Sequence, residues 1–447
     1  MKLPTPPPAR ADMYSAVFQR LEPGGAALAA FTREMEKGPA PGGKYRHWDS
    51  LRHVPSPKGL RAEDVWAARK MARMGLYRMV PLLDKRGEPF RYALVDPVLE
   101  RLHRIDRDAA GRIALPERTA TEGERDRYLM RSLREEAIAS SQLEGASTTR
   151  RVAKEMLRTG RAPRTRSEQM ILNNYRAMES VRERVDEPLT PDVVTDLHRV
   201  VTEGTLDGSG PFRQAGDGIA VYDDQDQLLH APPPPDQIAE RLERMCAFAN
   251  EAETGVFLHP ALKSILLHFW LAYDHPFVDG NGRTARALFY WSMLREGFWL
   301  AEFLSISTVI KRAPARYAKS FLYTETDDND LTYFILAQLR VIELAVQELG
   351  EHLEQKSREV QEARALLRPT VDLNHRQLAL LSHAIRRPDA AYTIASHRRS
   401  HDVAYATARA DLLDLAARGL LDKRKQGRAF VFTVPADLAD RLKSLDA

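Results

Sequence analysis

Twelve consecutive residues, His275-Pro276-Phe277-Val278-Asp279-Gly280-Asn281-Gly282-Arg283-Thr284-Ala285-Arg286, gather a base, a carboxylate, two glycines and two arginines in one short stretch. His275 is the group here that titrates near neutral pH and can take a proton from a hydroxyl. Asp279 can give one carboxylate to a Mg²⁺ that keeps its waters and finds its remaining ligands on phosphates. Gly280 and Gly282 remove the side chains that would hold a phosphate away from the backbone. Arg283 and Arg286 stand three apart, so their guanidinium forks can reach neighbouring phosphate oxygens. Each feature alone is ordinary: Gly-Asn-Gly and Asp-Gly are common turn chemistry, and a lone histidine beside an aromatic is usually a hydrogen-bonded core residue. Together they describe a site for phosphoryl or nucleotidyl transfer. The stretch is not a P-loop, because no Gly-Lys-[Ser/Thr] follows four spacers.

Two helices must position this loop. Leu262, Ile265, Leu266 and Phe269 repeat at three and four residues within a helix predicted over Leu262–Tyr273, and a second helix is predicted over Ala285–Leu294. The loop therefore ends at a helix N-terminus, where free N–H groups and the positive dipole end favour an anion. A second constellation lies upstream, in Ser140-Ser141-Gln142-Leu143-Glu144-Gly145. Ser140 and Glu144 share one helix face, and Gly145 is a natural C-terminal stop. Taken alone, this reads as a solvated helix end.

Composition narrows the class. The chain has 447 residues, 43% of them hydrophobic and 29% charged, which excludes a wholly disordered protein. The single cysteine, Cys246, excludes an internal disulfide framework and a Cys-based zinc site, and favours a reducing compartment. Met1 to Arg10 is Pro-rich and lacks the apolar core of a signal peptide. The longest apolar run, Ile265–Ala272, is broken by His268 and falls far short of the ~20 residues of a membrane span. A cytoplasmic protein without membrane contact is expected. The formal net charge of +4 permits nucleic-acid contact without arguing for it.

The predicted fold is mainly α. Residues 1–114 form a small α/β region, with a strand over Gly87–Val95 and a helix over Pro97–Ile105, and carry no catalytic constellation. A helical core follows over 115–330, beginning with a helix near 122–145. Gly208–Pro235 interrupts it with two alternating stretches, Ile219–Tyr222 and Leu228–Ala231, which predict a β-hairpin turning at Asp223-Asp224-Gln225-Asp226. A connecting helix spans 331–370. Its seam of Leu339, Ile342, Val346, Leu349 and Leu353 suits packing on its own domain, with a homodimer contact as the alternative. Residues 371–447 read as three helices (Gln377–Ile385, Ala391–Arg398, Asp402–Arg418) and a two-stranded ribbon over Leu420–Val434, the pattern of a winged helix-turn-helix. This segment holds 13 Lys and Arg against 9 Asp, a net +4. Its third helix could meet duplex DNA, although Asp402, Asp411 and Asp414 would then face or flank phosphates. A protein-interaction or dimerisation module is the other reading.

The twelve residues resemble the Fic motif, His-Pro-Phe-x-[Asp/Glu]-Gly-Asn-Gly-Arg-x-x-Arg, at all nine fixed positions. The resemblance extends to His259-Pro260, to Gly210–Arg213 (GPFR) and to the Pro232–Pro235 run. It implies a Fic-type helical core with a β-hairpin flap, preceded by the α/β region and followed by the winged helix. The implied activity is transfer of AMP from ATP, with Mg²⁺, to a Ser, Thr or Tyr hydroxyl of a protein. By position, His275 would be the base, Asp279 the Mg²⁺ ligand and Gly280–Gly282 the phosphate cradle. Asn281 would help fix the α-phosphate, and Arg283 and Arg286 would hold the β- and γ-phosphates. Ile219, Ala220, Val221 and Tyr222 would form the flap that aligns the target by strand addition. Ser140, Glu144 and Gly145 resemble the Fic inhibitory motif, which implies that Glu144 occupies the Arg286 guanidinium. Another nucleotide donor, removal of AMP, or a DNA-binding regulator whose core senses nucleotide are the alternatives; the intact His275 argues against a pure sensor.

Overall fold

The computed structural model describes residues 2–21, 25–108, 122–206, 212–223, 225–250, 257–367, 373–387, 389–401, 403–426 and 429–444. The expected start of the core at residue 115, and Gly210, Asp224, Asp402, Gly427 and Arg428, lie outside them. Two compact units divide the chain, Met1–Leu349 and Gly350–Ala447. Among the described residues no helix is long and apolar enough to cross a membrane.

In chain order, the first unit opens with α1 (Arg10–Arg20), α2 (Ala26–Glu36), α3 (Trp48–Leu51) and α4 (Ala62–Met74). A hairpin of β1 (Tyr77–Leu83) and β2 (Pro89–Ala93) follows, then α5 (Asp96–Arg107). Next come α6 (Glu122–Leu143), α7 (Arg150–Thr159), α8 (Arg166–Glu183) and α9 (Pro191–Thr202). A second hairpin pairs β3 (Val221–Tyr222) with β4 (Leu228–His230), ahead of α10 (Ile238–Asn250), α11 (Pro260–Asp274) and α12 (Asn281–Arg295). The elements α13 (Ile306–Arg312), α14 (Pro314–Thr326) and α15 (Thr332–Leu367) complete the series.

Helix α11 is apolar on nearly every face and α12 is buried along nearly its whole length, its polar residues included, so the fold surrounds both. Leu262, Ile265, Leu266, Leu267, Phe269, Trp270 and Leu271 of α11 are buried, as are Ala285 and Ala287 to Trp291 of α12. The two pack on each other, and α6, α8 and α9 close around α12. The start of α11 follows local rules. His259 caps it by accepting the Ala261 N–H at 3.2 Å, and Pro260 occupies the first helical position.

The first 107 residues are built into this core. Phe90 of β2 meets Phe269 and Tyr273 of α11 at ring distances of 5.3 and 4.9 Å. The β2 backbone bonds the loop after α14, with the Leu331 N–H donating to the Arg91 carbonyl at 2.8 Å. A buried charge cluster lies beside it. Asp327 accepts from Lys70 at 2.7 Å and Arg73 at 3.0 Å, while Tyr45 and Tyr77 donate to Asp330 at 2.5 and 2.9 Å. Burial opposes ionisation of Asp327, but Lys70 and Arg73 outweigh it and hold its pKa below the usual carboxylate value. Asp327→Ala would leave Lys70 and Arg73 buried without their common partner. A loss of ~3–5 kcal/mol is expected from breaking such a network, read as a lowered urea midpoint. An unchanged midpoint would show that the cluster contributes nothing.

The second hairpin is shorter than the alternation predicts. Ile219 and Ala220 precede the strand, and Ala231 follows β4. Its turn is held by Asp223, whose carboxylate accepts the Gln225 and Gln227 N–H groups at 2.9 and 3.0 Å, with Asp226 at φ +56°. Along α15, Leu339, Ile342 and Val346 of the predicted seam are buried in the first unit.

The second unit holds α16 (His375–Arg386), β5 (Ala391–Thr393), α17 (Ile394–His401), α18 (Tyr405–Ala417), β6 (Asp422–Gln426), β7 (Ala429–Thr433) and α19 (Leu438–Ser444). Its sheet runs β5-β7-β6, all antiparallel. Ala391–Thr393 is thus a strand, not the start of a helix as the sequence reading has it. Tyr392 pairs with Phe432 there, and Thr393 then caps α17 by accepting the Ser396 N–H at 3.0 Å.

Candidate active site

The twelve-residue loop joins α11 to α12, and its shape rests on a strained residue. His275 has φ +46°, in the left-handed region that a non-glycine residue adopts at some cost. Arg213 holds it there. Its Nε donates to the His275 carbonyl at 2.7 Å, a terminal nitrogen reaches the carbonyls of Asp274 and Pro233, and its backbone N–H donates to Pro276 at 3.0 Å. The loop centre is fastened by His198. That ring stacks on Phe277 at 3.7 Å and 9°, and its Nε2 donates to the Asp279 carbonyl at 2.8 Å.

Gly280 is required for two reasons. It sits at φ +85°, and a Cβ there would come within 2.8 Å of Thr202 and 3.4 Å of the His198 ring. Asn281 closes the loop with both ends of its amide: Oδ1 accepts the Phe277 N–H at 2.9 Å, and Nδ2 donates to the Phe277 carbonyl at 2.8 Å. Both ends of the Asn281 side chain are thus engaged inside the loop, and its backbone opens the first turn of α12.

Arg286 is buried, and its guanidinium is engaged by α6. Nε donates to the Ser140 hydroxyl at 2.8 Å, and a terminal nitrogen reaches the Ser140 carbonyl at 3.1 Å and Glu144 Oε1 at 2.8 Å. Burial opposes its charge, yet Glu144, with Tyr317 and Glu136, offsets this, and its pKa ends above the ordinary value. Glu136, Ser140 and Glu144 follow at spacings of four, so α6 meets the core through one face. Glu136 is buried and accepts the Ser305 hydroxyl and the Ser307 N–H, each at 3.0 Å. Gly145, at φ +89°, turns the chain away. The Glu144 carboxylate lies so close over Gly282 that a Cβ on that residue would overlap it. It therefore occupies the space in front of the first turn of α12, the seat expected for an anion.

Glu144, His275, Gly282 and Arg286 line one cleft of ≈ 190 Å³ with Val221, Leu229 and His230 of the hairpin and Tyr317, Phe321 and Glu325 of α14. The His275 Nδ1 faces the Ala272 carbonyl at 3.3 Å. Burial pushes the pKa of this imidazole down to about 4, so the ring is neutral at physiological pH. Asp279, Asn281 and Arg283 sit on the loop but do not line the cleft. Arg283 is buried, donating to the Val201 carbonyl at 3.0 Å and to Asp279 at 3.2 Å. Of the flap residues, Val221 reaches the cleft and Tyr222 is exposed.

Sequence reasoning did not single out His198, His230, Tyr317 or Glu325. His230 bridges Glu325 at 2.8 Å and the Tyr273 carbonyl at 2.7 Å, so it ties the hairpin to both walls. Its place two residues before Pro232–Pro235 was the available signal; for His198, inside the apolar pattern of α9, there was none.

The cleft thus joins a short hairpin, a carboxylate seated at a helix N-terminus and a neutral histidine within one helical core. Residues 188–293 match the Fic/DOC family, so the chain carries a Fic/DOC domain. A stretch of 69 residues is 41% identical to the protein adenylyltransferase Fic of Drosophila virilis and 39% identical to that of Drosophila melanogaster. This match covers 15% of the chain and spans 14% of the length of each of these relatives. The fold is similar to the crystal structure of a Fic family protein from Desulfovibrio desulfuricans, with a TM-score of 0.51 at 18% identity over 77% of this chain and 98% of that one.

Proposed function

We propose that this protein is a Mg²⁺-dependent protein adenylyltransferase, moving AMP from ATP to a protein hydroxyl, and that its own Glu144 holds it back. The observation that carries the reading is the seating of a carboxylate against Gly282 and Arg286, at the N-terminus of α12, in a cleft shared with His275. A site that accepts one anion there suits a phosphate of the donor. The Tyr317 and Phe321 wall offers apolar surface to a base.

The proton is handled by His275. With a proton on Nδ1, directed at the Ala272 carbonyl, Nε2 carries the lone pair and accepts from the attacking hydroxyl. The hydroxyl oxygen bonds the α-phosphorus as the bond to the bridging oxygen breaks, and pyrophosphate leaves. Arg286, once free of Glu144, neutralises the terminal phosphate. Arg213 and His198 keep the loop in place throughout. Asp279 is one third exposed, and its Oδ1 already accepts from Gly280 at 2.5 Å. Among the described residues no group of three or more His, Cys, Asp or Glu side chains is placed to share a metal. An ion at Asp279 would therefore draw its other ligands from water and phosphate, the habit of Mg²⁺, and would neutralise charge on the donor. The hairpin, with Val221 toward the cleft and Tyr222 outward, suits alignment of an extended target segment.

The test incubates the purified chain and its Glu144→Gly variant with Mg²⁺ and each α-labelled nucleoside triphosphate. Label is expected on protein from ATP, released by phosphodiesterase and mapped by mass spectrometry to a hydroxyl side chain. Preferential transfer from GTP, UTP or CTP would replace the donor. No label from any nucleotide, in either protein, would overturn the reading.

A further inference from the structure

Cations crowd one stretch of the second unit, Ile394 to Gln426, while its exposed acids Asp389, Asp437 and Asp440 lie outside that stretch. Between Ile394 and Gln426 seven cations are exposed among the described residues, Arg398 and Arg399 on α17, Arg409 and Arg418 on α18, and Lys423 to Lys425 on β6, against the partly exposed carboxylates of Asp414 and Asp422. The acids of the same stretch are turned in or matched. Asp411 is buried and accepts from Asn374 at 2.8 Å, Arg376 at 2.7 Å and His397 at 3.1 Å. Asp414 accepts from Gln377 at 2.7 Å and Arg418 at 3.0 Å, and Asp422 lies 3.9 Å from Arg441. The expectation that Asp411 would face or flank phosphates is corrected by this packing, whereas Asp414 stays partly exposed beside Arg418. Helix α18 buries Ala408, Asp411, Leu412 and Leu415, so its acids lie on or beside the core face.

The opposite face of α18 exposes Tyr405, Ala406, Arg409 and Ala410. Alanines let such a helix approach a groove floor, and the Arg409 fork suits the paired acceptors of a guanine edge. The α17 helix ends at His401 and α18 begins at Tyr405, three residues intervening. The β6–β7 ribbon follows, with the Lys423 ammonium 4.5 Å from the Phe430 ring centroid. Tyr405 is the one large apolar side chain exposed among the described residues of this unit, so no apolar patch invites a protein partner. The deep, narrow major groove of A-form RNA does not admit a helix, and one aromatic is too few for a single-strand stacking platform.

We propose that the C-terminal unit binds duplex DNA, with the Tyr405–Ala410 face of α18 in the major groove and the Lys423–Lys425 ribbon on the adjacent backbone. Neutralised phosphates make such binding fall steeply with salt, by ~10³–10⁵ between ~50 and ~200 mM for six to ten contacts. The experiment follows the fluorescence anisotropy of a labelled ~20-bp mixed-sequence duplex titrated with the full-length protein at several salt concentrations. No nucleoside triphosphate is present, so the outcome does not depend on the transfer reading. The wild-type chain is expected to bind at low salt. The combined Lys423→Glu, Arg424→Glu, Lys425→Glu variant should lose at least ~10-fold in affinity and flatten the salt slope, and Arg409→Ala should weaken any preference between duplexes that differ at guanine positions. Circular dichroism of the variants confirms that they fold. Failure to bind at low salt, binding indifferent to the charge reversal, or equal competition by single strands, RNA or polyglutamate would each overturn the proposal.

Discussion

Replacing His275 with alanine should lower AMP transfer by ~10²–10⁴-fold, the usual worth of a general base, while nucleotide affinity stays near that of the parent. The separation of the two effects follows from the geometry. The anion seat is made by the first turn of α12, Gly282 and Arg286, none of which depends on the imidazole. The base function depends on one nitrogen. With Nδ1 aimed at the Ala272 carbonyl, Nε2 has no proton to lose before it can accept one. Burial takes the pKa of the ring to about 4, so the acid limb of kcat/KM should lie nearer pH 4 than the 6.5 of a free histidine. Alanine also inherits the φ of +46°, which costs ~1–2 kcal/mol for a residue that does not favour that region. His275→Asn is the control, because asparagine tolerates left-handed backbone and cannot serve as a base. Single-turnover labelling and calorimetric nucleotide binding separate the two quantities. If either variant transferred at the parental rate, the proton would have another acceptor.

The same burial fixes a direction for stability. An imidazole that protonates near 6.5 when unfolded, and near 4 in the fold, makes the unfolded chain the better proton binder between those values. The stability contributed by neutral His275 is therefore complete above about pH 6.5 and is lost as pH falls through 6.5 toward 4. His47, about 4, and His268, about 3, act in the same sense, both through burial.

What could be read in the sequence was local. The loop from His275 to Arg286 is legible because chemistry, turn and helix start are written within one stretch, and Ser140 and Glu144 because spacing four defines a helix face. The supports of the loop were not legible. Arg213 acts on a carbonyl 62 residues away, and His198 on one 81 residues away. No periodicity encodes such a meeting; only the packed fold creates it. Phe90 and Arg73 gave no sign that the first hundred residues complete the core behind the cleft, since an aromatic in a strand and an arginine in a helix are ordinary on their own. The strand Ala391–Thr393 was missed because three residues carry too little alternation to compete with a helix start. Asp411 was misplaced because its helix face is set by Leu412 and Leu415, whose burial outweighs the preference of a lone acid for water.

Glu144→Gly should raise the rate of AMP transfer by ~10–100-fold, the equivalent of releasing one hydrogen bond between charged groups at ~1.5–3 kcal/mol. Two features of the cleft carry this expectation. Arg286 has its guanidinium divided between Ser140 and Glu144, and the carboxylate itself fills the space over Gly282. Ser140 would remain bonded to Nε in the variant, so the arginine keeps its aim while its terminal nitrogen becomes available. A triphosphate can then place its terminal phosphate on Arg286 and present the α-phosphorus in line with the hydroxyl that His275 deprotonates. A phosphate displaced by an ångström can bind well and still fail to react. The signature is accordingly a rate increase larger than any tightening of ATP binding. Glu144→Asp should fall between the two, since the shorter side chain starts from the same backbone and reaches Arg286 less well. Gly145 already breaks the helix at φ +89°, so a glycine at 144 adds freedom beyond the end of α6 at Leu143 rather than inside it. Thermal unfolding of the variant should therefore report the loss of the Glu144–Arg286 contact, ~1.5–3 kcal/mol, with little added backbone cost. If Glu144 were only a helix-end residue, the autolabelling time courses of parent and variant with ATP and Mg²⁺ would superimpose, and self-inhibition would have to be abandoned.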